Sequence, residues 1–163
     1  MTRTVPARRV EVASIAAALL VLVTACQMDW RSFEYTRSKP ARKDIVGSWS
    51  ATDKTLRDLS STSYAKARPM IVLGADGVVR MTDIPDAWRD FDIDWDSGTG
   101  KLETFNGRWE LHQAQDWWTV SVQRTDWGCD NCIPILGQSS PYRLFIHVGD
   151  PDAGMGYEFH KVN

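Results

Sequence analysis

The chain opens with one long apolar run and then changes to short runs in which apolar and polar residues alternate. Residues 12–23 carry no charge and are mostly aliphatic, and they follow a basic start at Arg3, Arg8 and Arg9. This order is typical of a secretory signal peptide, and the run is shorter than the about 20 residues that a membrane-spanning helix needs. We therefore expect residues 1–25 to be a signal peptide outside the fold.

Beyond residue 43 the alternating runs are separated by Gly, Asp, Asn and Pro, which is a strand pattern. It predicts strands at 45–50, 69–74, 78–84, 104–112, 117–124, 142–148 and 155–161. Ala75-Asp76-Gly77 is a tight hairpin signal, and the polar residues 54–67 are expected to form a short helix or a long loop. The sequence predicts an all-β domain over residues 44–163, a single small antiparallel β-barrel of about 7–8 strands.

Glycine and tryptophan recur together at the starts of predicted strands. Gly47-Ser48-Trp49 resembles the Gly-x-Trp opening of lipocalins and related small barrels, and Gly107-Arg108-Trp109 repeats it. Together with Gly149-Asp150-Pro151-Asp152 near the end, the order of motifs resembles uncharacterised bacterial lipoproteins. The resemblance implies a lipocalin-like meander in which Trp49 and Trp109 are core residues, and it implies no activity.

The apolar run ends in Val23-Thr24-Ala25-Cys26, which resembles the bacterial lipobox. The resemblance implies that Cys26 carries diacylglycerol and becomes the first residue after cleavage, which would anchor the protein in a membrane. The alternative is a plain secretory signal with a chance cysteine. The expected location is the extracytoplasmic face of a cell membrane. In bacteria with two membranes the outer membrane is also possible, because Gln27 follows the cysteine and an aspartate there would signal retention in the inner membrane.

Charge divides the chain after the cysteine. The whole sequence has a net charge of −2, whereas residues 27–43 carry +3 and residues 44–163 carry −7. Residues 26–43 are therefore expected to be a lipidated cysteine and a basic flexible tether, either attracted to anionic headgroups or simply solvated. The acidic domain argues against nucleic acid as a partner.

Two further cysteines, Cys129 and Cys132, are expected to face an oxidising compartment. A disulfide between them would stabilise the fold by about 2 kcal/mol. A redox pair would need a helix starting at the motif, and Pro134 and Gly137 argue against one. A metal site would need two more ligands, so a structural disulfide is the favoured interpretation, with a reduced pair or a metal site as alternatives.

Acidic residues alternate with apolar ones in the segment Phe91–Glu103. Asp92, Asp94, Asp96 and Glu103 follow the spacing of a calcium loop, but position six is Ser97 and not the glycine that an EF-hand requires. The alternatives are a weak, non-EF Ca²⁺ site and a solvated acidic loop near a barrel end. No other cofactor is predicted.

Tryptophan is abundant, with eight in 163 residues. Adjacent side chains on a strand point to opposite faces, so Trp118, Val120 and Val122 are expected to face inward and Trp117 outward. Large rings could simply fill a small barrel. The functional alternative is a ligand-binding mouth, for which the candidates are Trp88, Trp95, Trp117 and Trp127.

No nucleophile elbow, phosphate loop or histidine constellation is present, so no catalytic residue is predicted and the protein is not expected to be an enzyme. The expected function is that of a membrane-anchored binding module for an apolar or glycan ligand or an envelope protein. The alternatives are a structural lipoprotein with a packed barrel and, less favoured, a redox or hydrolytic enzyme. A barrel cavity lined by aromatic residues would favour the binding module, and a filled interior would favour the structural lipoprotein.

Overall fold

The computed structural model describes residues 33–88, 98–124, 127–148 and 156–162, and of residues 124 and 127–131 it describes the backbone alone. Within these residues eight strands form a closed barrel in which every strand is antiparallel to both neighbours. The strands are β1 (Gly47–Ala51), β2 (Met70–Leu73), β3 (Val78–Pro85), β4 (Leu102–Ala114), β5 (Trp117–Arg124), β6 (Trp127–Leu136), β7 (Arg143–His147) and β8 (Gly156–Val162). Neighbours along the chain are neighbours in the barrel, and β8 pairs with β1 to close it. The predicted all-β small barrel is confirmed.

The strand pattern of the sequence predicts seven of these eight strands and misses β6. That strand contains the Cys129-Asp130-Asn131-Cys132 segment and Pro134, which the sequence analysis interprets as a disulfide-bearing, non-helical stretch. Proline removes a backbone donor and is confined to edges, strand ends and irregularities in sheets. Here the pairing of β5 with β6 ends where Pro134 lies opposite Thr119.

The barrel interior is filled by side chains from alternating strand positions. Every strand contributes buried apolar residues to one continuous core, among them Trp49, Ile71, Val79, Trp109, Val120, Ile133, Leu144 and Tyr157. The expected core positions of Trp49, Trp109, Val120 and Val122 are confirmed, whereas Trp118 is only half-buried.

The two Gly-x-Trp tryptophans each satisfy their indole N–H on a backbone carbonyl. Trp49 Nε1 donates to the Ile45 carbonyl at 2.9 Å, and Trp109 Nε1 donates to the Gly74 carbonyl at 2.9 Å. Gly47 has φ 140°, a conformation that side chains with a Cβ rarely adopt, so the strand start there requires glycine. Both buried rings are thereby fixed at the same end of the barrel.

Helix α2 (Asp53–Ser60) follows β1 and packs on the end of the barrel where β1 stops. The Thr52 side chain caps it by accepting a hydrogen bond from Thr55 N at 3.3 Å. Thr55 is itself buried, and its hydroxyl donates to the Glu158 carbonyl at 3.0 Å and accepts from Glu158 N at 2.9 Å. Leu59, 1% exposed, joins the core from the same helix.

Residues 33–46 form what we call the strap, an ordered segment that crosses one end of the barrel and includes helix α1 (Arg42–Ile45). Its backbone enters between the ends of β5 and β6: Thr36 N donates to Ile135 O, and Trp118 N donates to Thr36 O, each at 2.8 Å. Tyr35 forms a β-bridge with Leu136, and Ile45 is fully buried under the barrel end. The structure thus differs from the expected flexible tether over residues 33–43, because these residues supply hydrogen bonds and core contacts.

The strap defines the two ends of the barrel. At the strap end lie residues 33–46, the β2–β3 and β4–β5 hairpins and the β6–β7 connection. At the opposite end lie helix α2 and the 3₁₀ turn Asp86–Trp88 that follows β3.

Candidate functional site

Trp88, a predicted ligand-binding residue, lies inside the barrel at the opposite end. The 3₁₀ turn after β3 directs its side chain inward, where it is only 4% exposed. The indole stacks on Tyr157 with ring centroids 4.6 Å apart and meets Phe159 edge-on at 6.0 Å. Burial, together with the negative charge of Asp58, raises the pKa of the Tyr157 phenol. Trp88 therefore helps fill the end of the barrel and is not exposed on a rim.

A hydrogen-bond network around Asp86 holds the turn that carries Trp88. The Asp86 carboxylate accepts hydrogen bonds from the Tyr64 hydroxyl at 2.5 Å and from the Thr99 hydroxyl and backbone N–H at 2.5 and 3.2 Å. Burial raises the pKa of Asp86, but these hydrogen bonds outweigh it and leave the pKa below its usual value. Burial and the bond to Asp86 raise the pKa of Tyr64.

The Asp86 network also connects the residues before the acidic segment Phe91–Glu103 to a residue inside it. Asp86 precedes that segment, and Thr99 lies within it, after Asp96. The sequence alone does not single out Asp86 among the many acidic residues. No local pattern shows that a carboxylate will accept hydrogen bonds from the hydroxyls of two distant residues. A Cβ at Gly98 would overlap the Tyr64 ring, so a glycine is needed where the chain passes this network.

Of the four predicted Ca²⁺ ligands, Asp92, Asp94 and Asp96 lie outside the described residues. Glu103 lies on β4, and its half-buried carboxylate is 3.9 Å from Lys101 Nζ. In the part of the chain that the structure describes, no group of three His, Cys, Asp or Glu side chains could hold a metal ion. The calcium site thus stays a prediction.

Trp117 lies at the strap end, on the outside of the barrel, as the alternation on β5 predicts. Its ring packs on Tyr35, with centroids 5.2 Å apart, in a small cluster with Leu136 and Phe145. Trp88 follows β3 and Trp117 begins β5, so in this meander they lie at opposite ends. Trp88 and Trp117 therefore do not line the same barrel mouth, and the side chains of Trp95 and Trp127 lie outside the described residues. Ligand binding by these four tryptophans stays a prediction.

The outer cluster around Tyr35 fastens the strap to the barrel wall. The Tyr35 hydroxyl is 2.8 Å from His147 Nε2, and the His147 ring meets Phe145 edge-on at 4.8 Å. Beside it, Arg143 bridges Glu34 of the strap at 2.6 Å and Glu158 of β8 at 3.0 Å. Desolvation lowers the pKa of Arg143, but the two carboxylates outweigh it and raise the pKa.

The two predicted disulfide cysteines both belong to strand β6. The Cys132 thiol is half-buried and free, and the side chain of Cys129 lies outside the described residues. The register of β5 against β6 shifts between Val122 and Arg124, and the irregularity on β6 lies between Trp127 and Asn131, a stretch that includes Cys129. The disulfide stays a prediction, as does lipidation of Cys26, which also lies outside the described part.

In the described residues, no helix is long and apolar enough to cross a membrane. No protein-family model matches the chain, and neither a curated protein nor a solved structure is significantly similar to it. The residues and contacts described above are therefore the grounds on which a function can be argued.

Proposed function

We propose that this protein is a lipid-anchored, extracytoplasmic lipoprotein whose barrel is non-catalytic and binds a protein of the cell envelope through its outer surface. The observation that supports this proposal is that the barrel interior is occupied by the protein's own side chains. Large aromatic residues take the places where an enclosed apolar ligand would lie, so any partner would bind at the outer surface. A filled interior equally fits a structural lipoprotein without a partner, and the cross-linking experiment below distinguishes the two.

The interior is closed from both ends. At the strap end Ile45, Trp49 and Trp109 are buried, each at 3% exposure or less. At the opposite end Trp88 stacks on Tyr157, and Leu59 and Tyr64 join the same core. A ligand in the interior would have to displace such a ring, and burial of one large apolar side chain contributes about 1.5–3 kcal/mol.

A ligand-binding experiment tests whether the interior is filled. The wild-type protein is expected to bind neither a small aromatic probe such as indole nor a fatty acid, measured by calorimetry and by melting temperature. Trp88→Ala opens an apolar cavity that indole fits, at a cost of about 3–5 kcal/mol in stability. This variant is the positive control, and tight fatty-acid binding by the wild type would contradict the proposal.

A labelling experiment tests the anchor. Cells that make the full chain are fed an alkyne-bearing fatty acid, and we expect the label on the protein and the protein in the membrane fraction. Cys26→Ser should lose both, whereas Cys132→Ser should keep both. An unlabelled, released wild-type protein would show that the Val23–Cys26 motif is a chance match within a plain secretory signal.

Cross-linking in intact cells tests the partner. A photoreactive residue at an exposed position on the outer face of β4, such as Glu110 or His112, is expected to give one discrete cross-linked band. If no cross-linked product forms at either position or at comparable exposed positions on other strands, the result favours a structural role without a protein partner.

A second candidate is a glycan bound by the acidic, tryptophan-bearing segment. It is favoured by the composition of that segment, where Trp95 lies between Asp94 and Asp96, since aromatic rings with flanking carboxylates suit stacking on sugars and bonding to their hydroxyls. Binding to a glycan array that disappears in Trp95→Ala, with no protein cross-link, would support this candidate against the first.

A further inference from the structure

The strap end of the barrel gathers positive charge on a domain that is acidic as a whole. Residues 44–163 carry a net charge of −7. Yet basic side chains from the strap, from β4 and from β8 lie at this one end, namely Lys39, Arg42, Lys43, Arg108 and Lys161. We call these five residues the basic face.

Several of these cations are held by the fold. Arg42 lies over the ring of Trp109 at 4.2 Å, and Lys39 lies over the ring of Trp118 at 5.1 Å. Lys161 Nζ donates to the carbonyls of Lys43 and Asp44 at 3.3 and 3.0 Å. Cation–π contacts and backbone bonds contribute no formal negative charge. Asp44 and Asp76 lie at the same end, so the five cations and these two acids together leave a charge of 5 − 2 = +3.

Two of the guanidinium groups meet above Gly77 in the β2–β3 hairpin. Arg42 Nη2 and Arg108 Nη2 are each 3.5 Å from the position that a Cβ of Gly77 would occupy, so the two nitrogens lie within about 7 Å of each other. Among the described ion pairs neither arginine has a carboxylate, whereas Arg37 pairs with Asp116, and Arg143 with Glu34 and Glu158. Two adjacent guanidinium forks without a carboxylate match the geometry of a phosphate group.

An exposed aromatic ring lies at the same end. Phe33, at the start of the strap, is 76% exposed, the highest value among the large apolar residues of the described part. Gly137 N donates to the Glu34 carbonyl, which fixes this position beside the β6–β7 connection. An apolar ring beside cationic groups suits the boundary between headgroups and acyl chains.

The length of chain before the strap brings this end to the membrane. Only six residues, 27–32, separate Cys26 from Phe33, and the seven Cα–Cα steps from Cys26 to Phe33 span at most about 25 Å when fully extended. We propose that the strap end is a membrane-docking face, on which the basic face binds the phosphates of anionic lipids while Phe33 enters the interface. The proposal builds on the lipid anchor of the proposed function, and it sets the opposite end of the barrel away from the lipid.

The test uses a chain from Gln27 to Asn163, which keeps the strap and the barrel and needs no lipidation. It is mixed with vesicles of equal parts phosphatidylglycerol and phosphatidylcholine, and binding is measured by co-sedimentation at low and high salt. We expect binding that salt weakens, and none to pure phosphatidylcholine. Each basic residue near an anionic surface contributes about fivefold, so Arg42→Gln with Arg108→Gln should weaken binding about 25-fold.

A matched control removes the same charge at the opposite end. Lys66 and Lys101 are exposed there, and Lys66→Gln with Lys101→Gln should change binding less than the arginine pair does. Phe33→Ser, at an exposed position that does not affect folding, should weaken binding about tenfold. Circular dichroism and melting temperature show that each variant is folded.

The outcomes separate the alternatives. If the lysine control pair and the arginine pair lose the same amount of vesicle binding, the docking face is overturned, because binding then depends only on the net charge of the protein. Binding of glycerol phosphate without binding to vesicles would also overturn it, in favour of a small soluble anion. Because the tested chain has no lipid, vesicle binding stands even where Cys26 proves unlipidated in cells, so failure of the anchor and failure of the docking face are distinguishable.

Discussion

Tyr35 provides the sharpest test that the strap is part of the fold. The residue is 3% exposed, its ring packs on Trp117, and its hydroxyl is 2.8 Å from His147 Nε2. A flexible tether would contribute nothing to the free energy of unfolding, whereas a strap residue with these contacts must contribute. We therefore compare Tyr35→Phe and Tyr35→Ala with the wild type.

The two substitutions remove different parts of the interaction. Tyr35→Phe removes one hydrogen bond and is expected to lower the free energy of unfolding by about 1 kcal/mol. Tyr35→Ala also leaves a cavity between the strap and the barrel wall, which for a large aromatic side chain costs about 3–5 kcal/mol. For a domain of this size 1 kcal/mol corresponds to about 4 °C, so the melting temperature should fall by about 12–20 °C in Tyr35→Ala.

The assay is urea unfolding followed by tryptophan fluorescence and by circular dichroism. Phe33→Ala is the matched control, since it removes an aromatic ring two residues away that is 76% exposed, and its effect should stay within about 0.5 kcal/mol. Equal midpoints for Tyr35→Ala and Phe33→Ala would refute the reasoning, and residues 33–43 would then be a tether after all.

Further predictions concern acid stability, helix α2, the cysteines and calcium. The hydrogen bonds that lower the pKa of Asp86 stabilise the fold above about pH 4 and are lost as the pH falls through the lowered pKa, so the urea midpoint should fall more steeply below pH 4 in the wild type than in Asp86→Asn. Thr55→Val keeps the shape but removes the buried hydroxyl to which Glu158 N–H donates, and it should cost about 1–3 kcal/mol in urea unfolding, which an unchanged midpoint would contradict. If Cys129 and Cys132 form a disulfide, the secreted protein unfolded without reductant will resist alkylation at both, and labelled thiols would disprove the bridge. A calcium site in the acidic segment would raise the melting temperature in Ca²⁺ relative to EDTA, and identical melts would rule it out.

The strand pattern could be predicted because alternation is a local property of the sequence. The seven predicted strands all have runs of β-branched or aromatic residues bounded by turn residues. Strand β6 lacks that signal, since Asp130, Asn131 and Pro134 disfavour strands when taken alone. Strand β6 forms because it pairs with neighbouring β5, where Val120 lies opposite Ile133 and Ser121 opposite Cys132, and that pairing cannot be read from a single segment.

The strap could not be predicted because its contacts are far away in the chain. Composition alone marks residues 27–43 as polar and basic, which suits a tether. Residues 33–43 of this stretch are held at the opening between β5 and β6 near Pro134, where the Thr36 backbone finds both a donor and an acceptor. The candidate site was hidden for the same reason, since Asp86 becomes distinctive only through Tyr64 and Thr99.

An ordered strap limits where a partner of this protein can be found. A tether of the 17 residues 27–43 would let the barrel lie up to about 60 Å from the lipid, whereas the six residues 27–32 allow about 25 Å. Strand β5 has eight residues and therefore spans about 26 Å. Where Cys26 carries the proposed lipid anchor, the opposite end of the barrel thus lies at most about 50 Å above the membrane surface, and less when the proposed docking face is bound. A partner fixed to a structure farther away would then lie beyond the reach of the barrel, whereas a partner in the membrane, close to it or free to diffuse would be within reach.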